Sequence, residues 1–291
     1  MQGRCRKRKW LPDNSLKEIP AMTALVQAGR ALWQSRGLLW VMTRREIAAR
    51  HAGTAAGVLW SYVQPLLTVA AFYLVFDVVF AMRMAGAEGQ GLRSHGAGMF
   101  LIVGMLPWMA FSDALSRGMH SLIEAGSMLQ KNPLPPVLFP MRSVLASSLV
   151  FGPLMVGVSL LYVLGYGAGR TALALPALWL GQLLLSALLA YALAILAAAL
   201  RDVTQVVAFV LSVGVYLSPI LFPVTLFPEG WRWLLWLNPM TALVVGYQSV
   251  LLYGQWPPLV VWLVVGAWLA LAAGVLSVLV RRSRDQLVDW L

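Results

Sequence analysis

WRWLLWLNPMTALVVGYQSVLLYG, residues 231–254, is apolar enough to enter a bilayer, yet Asn238-Pro239 stands inside it. A proline interrupts the helical ladder because it lacks an N–H and clashes with the preceding turn. The arms on either side are each shorter than the roughly 20 apolar residues that a membrane helix needs. The stretch is either a proline-kinked crossing or a pair of short helices that enters one face and returns through it. The choice decides on which side of a membrane the chain ends.

The rest of the chain makes a membrane the right setting. Of the 291 residues, 60% are hydrophobic and 11% charged, and the mean hydropathy is +0.75. An ordinary soluble domain is about a quarter charged. The net charge of +11 is not spread over a basic face with interleaved aromatics, as nucleic-acid binding would require. Eleven of the 22 Lys and Arg fall in residues 1–50, and the others flank apolar runs. Cys5 is the only cysteine, which excludes an intramolecular disulfide and a cysteine zinc site. RCRKRKW (4–10) is followed by PDNSLKE rather than an apolar core, so no signal peptide is expected there.

The reading is an all-α polytopic membrane protein. Six runs are expected to cross: 56–82, 98–117, 143–166, 172–200, 203–222 and 258–280. With a cytoplasmic N-terminus, the inner segments hold eighteen basic residues: eleven before the first span, then Arg117, Lys131, Arg142, Arg201, Arg281, Arg282 and Arg284. The outer segments hold four, namely Arg83, Arg93, Arg170 and Arg232. That asymmetry is the positive-inside pattern. A seventh crossing at 231–254 would export the three terminal arginines. The re-entrant reading is therefore preferred, with an outer-face gate over 223–254 between spans five and six. Irregular backbone at membrane depth persists only where protein or a water-filled cavity surrounds it.

Outside the spans, residues 1–20 form a basic tail and 283–291 a short cytoplasmic tail. Residues 21–55 mix Leu25, Leu32, Trp33, Leu39, Trp40 and Ile47 with Arg30, Arg36, Arg44, Arg45 and Arg50. That mixture suits an amphipathic helix lying in the cytoplasmic interface, or a plain juxtamembrane anchor. In the second joint, 118–131 suits a short amphipathic helix, with Leu122, Ile123 and Leu129 against Glu124, Gln130 and Lys131. Prolines 133, 135 and 136 end it.

Few residues suggest chemistry. His51, His95 and His120 are far apart in sequence, so no metal or catalytic cluster is expected. No G-x-x-x-x-G-K-[ST] loop is present, since none of Lys7, Lys9, Lys17 and Lys131 follows a glycine. If ATP drives this chain, another polypeptide must bind it. Asp77 lies toward the outer end of span one, and Asp113 is four residues from Arg117 on one helix face. In span one Tyr62, Tyr73, Phe76 and Phe80 fall within an arc of about 60°, with Asp77 at its border. In span five Phe209, Ser212 and Tyr216 share a face. Aromatic rings offer flat apolar surfaces with hydrogen-bonding tips, suited to the C–H faces and hydroxyl rims of sugars. For any one of these residues, interfacial belts and ordinary helix packing are the simpler account.

Three stretches carry a family resemblance: AGTAAGVLWSYVQPLLTVAAFYLVF (52–76), GMLPWMAFSDALSRGMHSLIEAGSMLQKN (104–132) and LSPILFPVTLFPEGWRWLLWLNPMTALVVGYQSVLLYG (217–254). Their order and motifs resemble the permease subunit of bacterial ABC exporters of polysaccharides, such as O-antigen, capsule and teichoic acid. The run NPLPPVLFPMR (132–142) is richer in proline than that family's pattern. The resemblance implies an inner-membrane homodimer with both termini cytoplasmic. It also implies two copies of a nucleotide-binding ATPase holding ATP and Mg, and a lipid-linked glycan as substrate. No cofactor is implied in this chain. The coupling elements would be the helix near 118–131, with Leu122, Ile123, Glu124 and Leu129, and the Arg201-Asp202 joint. The outer gate would use Pro228, Glu229, Trp231, Trp233, Asn238 and Pro239, and spans one and five would line the route. Rival readings are an exporter of drugs or small lipids with the same fold, an ion-coupled carrier using Asp77, and a membrane-embedded enzyme.

Overall fold

The computed structural model describes residues 21–75, 97–132, 134–166, 169–283 and 286–290. All regular structure among these residues is helical. Two helices come first, α1 (Ala21–Gln34) and α2 (Arg36–Ala49), followed by α3 (Trp60–Tyr73). Then come α4 (Ala97–Glu124), the short α5 (Gly126–Lys131), α6 (Leu138–Tyr166) and α7 (Leu175–Ala199). The chain ends with α8 (Asp202–Gly214), α9 (Arg232–Trp236), α10 (Pro239–Leu251), α11 (Leu259–Ser283) and α12 (Leu287–Trp290). Among the described residues, α4, α6, α7 and α11 are long and apolar enough to cross a membrane. The protein is thus an all-helical, multi-pass membrane chain.

The centre of the bundle is α4, packed against α6 and α7, while α11 closes on α7. Close approach is made possible by small residues. A Cβ built on Gly118 would stand 2.7 Å from the Ala190 Cβ, so α4 and α7 touch nearly backbone to backbone there. Small residues at helix contacts are the usual means of tight association in lipid, where dispersion contacts and hydrogen bonds hold helices together.

One apolar cluster marks an end of the bundle, called basal here. Met42 of α2, Leu122 at the end of α4, Leu129 of α5, Leu138 and Phe139 at the start of α6, Ile195 and Ala198 at the end of α7, Leu276 of α11 and Leu287 of α12 all belong to it. The first and last described helices therefore gather at the same end. The opposite, distal end holds the N-terminal ends of α4 and α7. These run in the same direction, since Gln182 Nε2 donates to the Pro107 carbonyl at 2.9 Å and further along both helices Ala190 meets Gly118.

Two expectations change in extent. Span five was expected over 203–222, but α8 stops at Gly214, and turns occupy the residues that follow. At 13 residues it is about 20 Å long, short of a bilayer core. The carbonyls of Gly214, Leu217 and Pro219 accept from the side chains of Asn238 and Gln248 instead of continuing a helical ladder. The helix expected over 118–131 divides at Ala125. Residues 118–124 continue α4, and only Gly126–Lys131 forms the separate α5. Span one is described as helix only over Trp60–Tyr73 and the two residues after it, so Phe76, Asp77 and Phe80 lie outside the described residues.

Candidate functional site

At the basal end a chain of ion pairs ties α2 to α4 and α6. Glu46 and Arg50 stand one turn apart on α2, and Asp113 and Arg117 one turn apart on α4. Arg50 Nη1 donates to Asp113 Oδ2 at 3.1 Å, and Arg117 Nε donates to Asp113 Oδ1 at 2.8 Å. The Ser147 hydroxyl of α6 also donates to Asp113 and accepts from Arg50 Nη2 at 3.1 Å. Ser143 donates to Glu46 Oε2 at 3.1 Å, and Arg142 Nε lies 3.0 Å from the same oxygen as an ion pair. Burial lowers the Arg50 guanidinium from its ordinary value, while Asp113 works in the opposite direction. An arginine starts so far above neutrality that it stays charged. Helix α2 is thereby joined to α4 and α6 through ion pairs and hydrogen bonds that are largely buried.

Toward the distal end lies the stretch that opened the sequence. Glu229–Trp236 and Pro239–Leu251 meet at a 103° bend. Asn238 makes the bend: its side chain caps α10 by accepting from Met240 N at 3.0 Å, and its amide donates to the Gly214 carbonyl at 3.0 Å. Pro239 takes the first turn of α10, where its missing N–H is no loss. Helix α10 then runs buried along the N-terminal part of α7. Leu243 faces Gly181, and one turn later Gly246 faces Leu178 and Val261. Polar groups of α10 are satisfied inside the protein. Tyr247 OH donates to Gln182 Oε1 at 2.8 Å, and Gln248 Nε2 donates to the Pro219 carbonyl at 2.6 Å. The Asn-Pro step is thus a sharp bend between two short helices.

The other expected site residues divide by exposure. Phe209, Ser212 and Tyr216 are exposed, Tyr73 is exposed and Tyr62 half-buried. Both α3 and α8 pack on α4, and each turns an apolar face away from the bundle. Leu122 and Leu129 are interior to the basal cluster, whereas Ile123, Glu124 and Met128 are exposed beside them. Arg201 and Asp202 are exposed at the joint after α7. They share the basal end with α5, because Leu129 belongs to the same cluster as Ala198. On the hairpin, Pro228, Glu229, Trp231 and Trp233 are exposed, and Asn238 and Pro239 are half-buried at the bend.

A family model, that of the ABC-2 type transporters, matches residues 37–252. The chain belongs to the ABC-2 type transporter family. Among similar proteins, the O-antigen export system permease protein RfbA of Myxococcus xanthus is 30% identical over 230 residues, covering 78% of this chain and 84% of that protein. A protein of the same name from Klebsiella pneumoniae is 24% identical over 219 residues, covering 75% of this chain and 81% of its own. The ABC-2 match runs from α2 through α10, so it contains both the basal ion pairs and the distal hairpin. In this ABC-2 chain the Asp113–Arg117 pair was visible from i, i+4 spacing. Glu46, Arg50, Arg142 and Ser147 were not, since they meet Asp113 and one another only through tertiary packing.

Proposed function

We propose that this chain is the permease subunit of an ABC transporter that exports a lipid-linked polysaccharide, of the O-antigen type, across the inner membrane. The observation that carries this reading is the ABC-2 match over residues 37–252 together with the 30% identity to an O-antigen export permease. In this reading the segments 56–82 and 203–222, which include α3 and α8, complete six crossings with α4, α6, α7 and α11, and the basal end faces the cytosol. The eighteen-to-four distribution of basic residues supports that orientation. Two copies of the chain form the pathway, with the bare faces of α3 and α8 toward the partner copy and Tyr62, Tyr73, Phe209, Ser212 and Tyr216 along the route.

Energy comes from a separate ATPase, which holds ATP and Mg, because this chain has no phosphate-binding loop. The exposed side chains Ile123, Glu124 and Met128, with Arg201 and Asp202, form the docking face at the basal end. The hairpin around Asn238 and Pro239 gates the distal end. Closure of the ATPase on ATP pushes on α5, which is packed on the ends of α4, α6 and α7, and shifts the long helices together. The test is reconstitution of the chain with its ATPase in proteoliposomes loaded with a lipid-linked glycan. Glycan should reach the distal side only with hydrolysable ATP, and the chain alone should hydrolyse none. Glycan movement driven by a proton gradient without ATP would refute the reading.

A further inference from the structure

Between α2, α3, α4 and α6, toward the basal end, lies a cleft of about 320 Å³. Its wall is unusually polar for a membrane chain: Arg50, Ser61, Gln64, Ser112, Ser116 and Arg117 all face it. Two buried polar atoms here lack any hydrogen-bond partner among the described residues, the Arg50 Nε and the Ser61 hydroxyl. The Arg50 side chain is 4% exposed and Ser61 is 6% exposed, so water in bulk does not satisfy them. A buried donor left unmade costs free energy, and such orphans call for a partner beyond the described residues. Arg117 meets Asp113 through its Nε, and its side chain, 44% exposed, also lines the cleft.

The charge of the cleft gives the ligand its sign. Two guanidiniums, Arg50 and Arg117, share one carboxylate, Asp113. Glu46 is 3.9 Å from Arg50 but is held at 3.0 Å by Arg142, outside the cleft lining. The wall therefore carries an excess of positive charge, with planar donor forks of the kind that match phosphate oxygens. Its depth fits a headgroup. Asp113 and Arg117 lie about 10–16 Å above the basal end of α4, at 1.5 Å per residue. The hydroxyls and amide of Ser61, Gln64, Ser112 and Ser116 continue from the guanidiniums as a strip suited to sugar or glycerol hydroxyls.

We propose that this cleft binds the phosphoryl headgroup of a lipid, with the phosphate between Arg117 and Arg50 and the adjoining hydroxylated group on Ser61 and Gln64. The lipid is either a glycan carrier or a bilayer phospholipid, which share this chemistry. Only the carrier assignment rests on the export reading.

The full-length protein in detergent is titrated with four probes and read by native mass spectrometry. They are a polyprenyl diphosphate bearing one sugar, the matching polyprenol, phosphatidylglycerol and diacylglycerol. The phosphorylated member of each pair that binds should do so about tenfold tighter than its phosphate-free counterpart, the scale of one charge-assisted contact. R117Q should abolish that preference while the thermal unfolding temperature stays put, because Arg50 still neutralises Asp113. S61A should weaken the phosphorylated probes severalfold. A preference for the diphosphate sugar over phosphatidylglycerol assigns the cleft to the carrier; the reverse assigns it to bilayer lipid. Equal binding of phosphorylated and phosphate-free probes overturns the proposal, as does an intact preference in both R117Q and S61A. Failure of ATP-driven export with the phosphate preference intact would strike the export reading and leave the cleft assignment standing.

Discussion

The Arg50 guanidinium lies 3.1 Å from the Asp113 carboxylate, and the Arg50 side chain is only 4% exposed. A charge in that position is tolerated because it is paired, and removal of one partner strands the other. Asp113→Ala should therefore destabilise the protein by about 3–5 kcal/mol. Replacing both groups with apolar residues, Arg50→Met with Asp113→Leu, should cost less than the single change. The exposed pair between Arg142 and Glu124, at 3.8 Å, is the internal control, and Glu124→Ala should stay within about 0.5 kcal/mol of wild type. Thermal and denaturant unfolding in detergent read all three. A double variant less stable than Asp113→Ala would contradict the account.

Gly118 and Gly246 look alike in sequence but differ in what surrounds them. A methyl at Gly118 meets the Ala190 Cβ at 2.7 Å, and neither atom can move without its backbone. At Gly246 the nearest atom, at 2.8 Å, is Cδ2 of Leu178, the free end of a flexible side chain. Gly118→Ala should cost about 1–3 kcal/mol as α4 and α7 are forced apart, and Gly246→Ala should cost less. The same unfolding measurements rank the two, and the reverse order would mean that α4 and α7 are not held by this contact.

How much of this was legible beforehand depends on the range of the interaction. The runs that became α4, α6, α7 and α11 are recognisable from hydropathy alone, since each is a continuous apolar stretch. The bend between α9 and α10 was legible from a local signal, Asn238-Pro239, because a proline cannot continue the helix that precedes it. The early end of α8 was not, because the carbonyls at and after Gly214 are taken by Asn238 and Gln248, residues 21–29 positions away. The break at Ala125 was hidden for a related reason. Leu122 and Leu129 fit one amphipathic face, but both are drawn into the basal cluster from separate helices. The proposed headgroup cleft was illegible, since Arg50 and Asp113 are separated by 63 residues and carry no local pattern.

Asn238 performs two tasks that can be separated. It caps α10 through Met240 N and ties the bend to the Gly214 carbonyl, with a longer contact of 3.5 Å to the Leu217 carbonyl. Serine is a good N-cap but too short to make the tie. Asn238→Ser should keep the cap and lose the tie, whereas Asn238→Ala loses both. The difference in stability between them should be about 0.5–2 kcal/mol, the usual worth of a cap. Amide hydrogen exchange over residues 229–236 should quicken in both variants, because the tie to α8 is gone in each. Unchanged exchange in Asn238→Ser would show that the hairpin is held by apolar packing alone.

The docking face at the basal end can be tested by neighbours that differ only in exposure. Ile123 is 37% exposed and Met128 40%, while Leu122 and Leu129 on the same two helices are 0% and 5% exposed. A carboxylate at an exposed position meets water, so Ile123→Asp and Met128→Asp should leave the unfolding temperature within about the spread of ordinary surface changes, ±0.5 kcal/mol. A carboxylate at Leu129 has no partner in the basal cluster and should unfold that end. If the ATPase docks here, the two exposed variants should lose it in co-purification and lose ATP-driven export, because burying an unpaired carboxylate in the contact opposes association. Full retention of the ATPase by Ile123→Asp and Met128→Asp, with the chain still folded, would move the docking surface elsewhere, and Arg201 and Asp202 would be the next residues to reverse in charge.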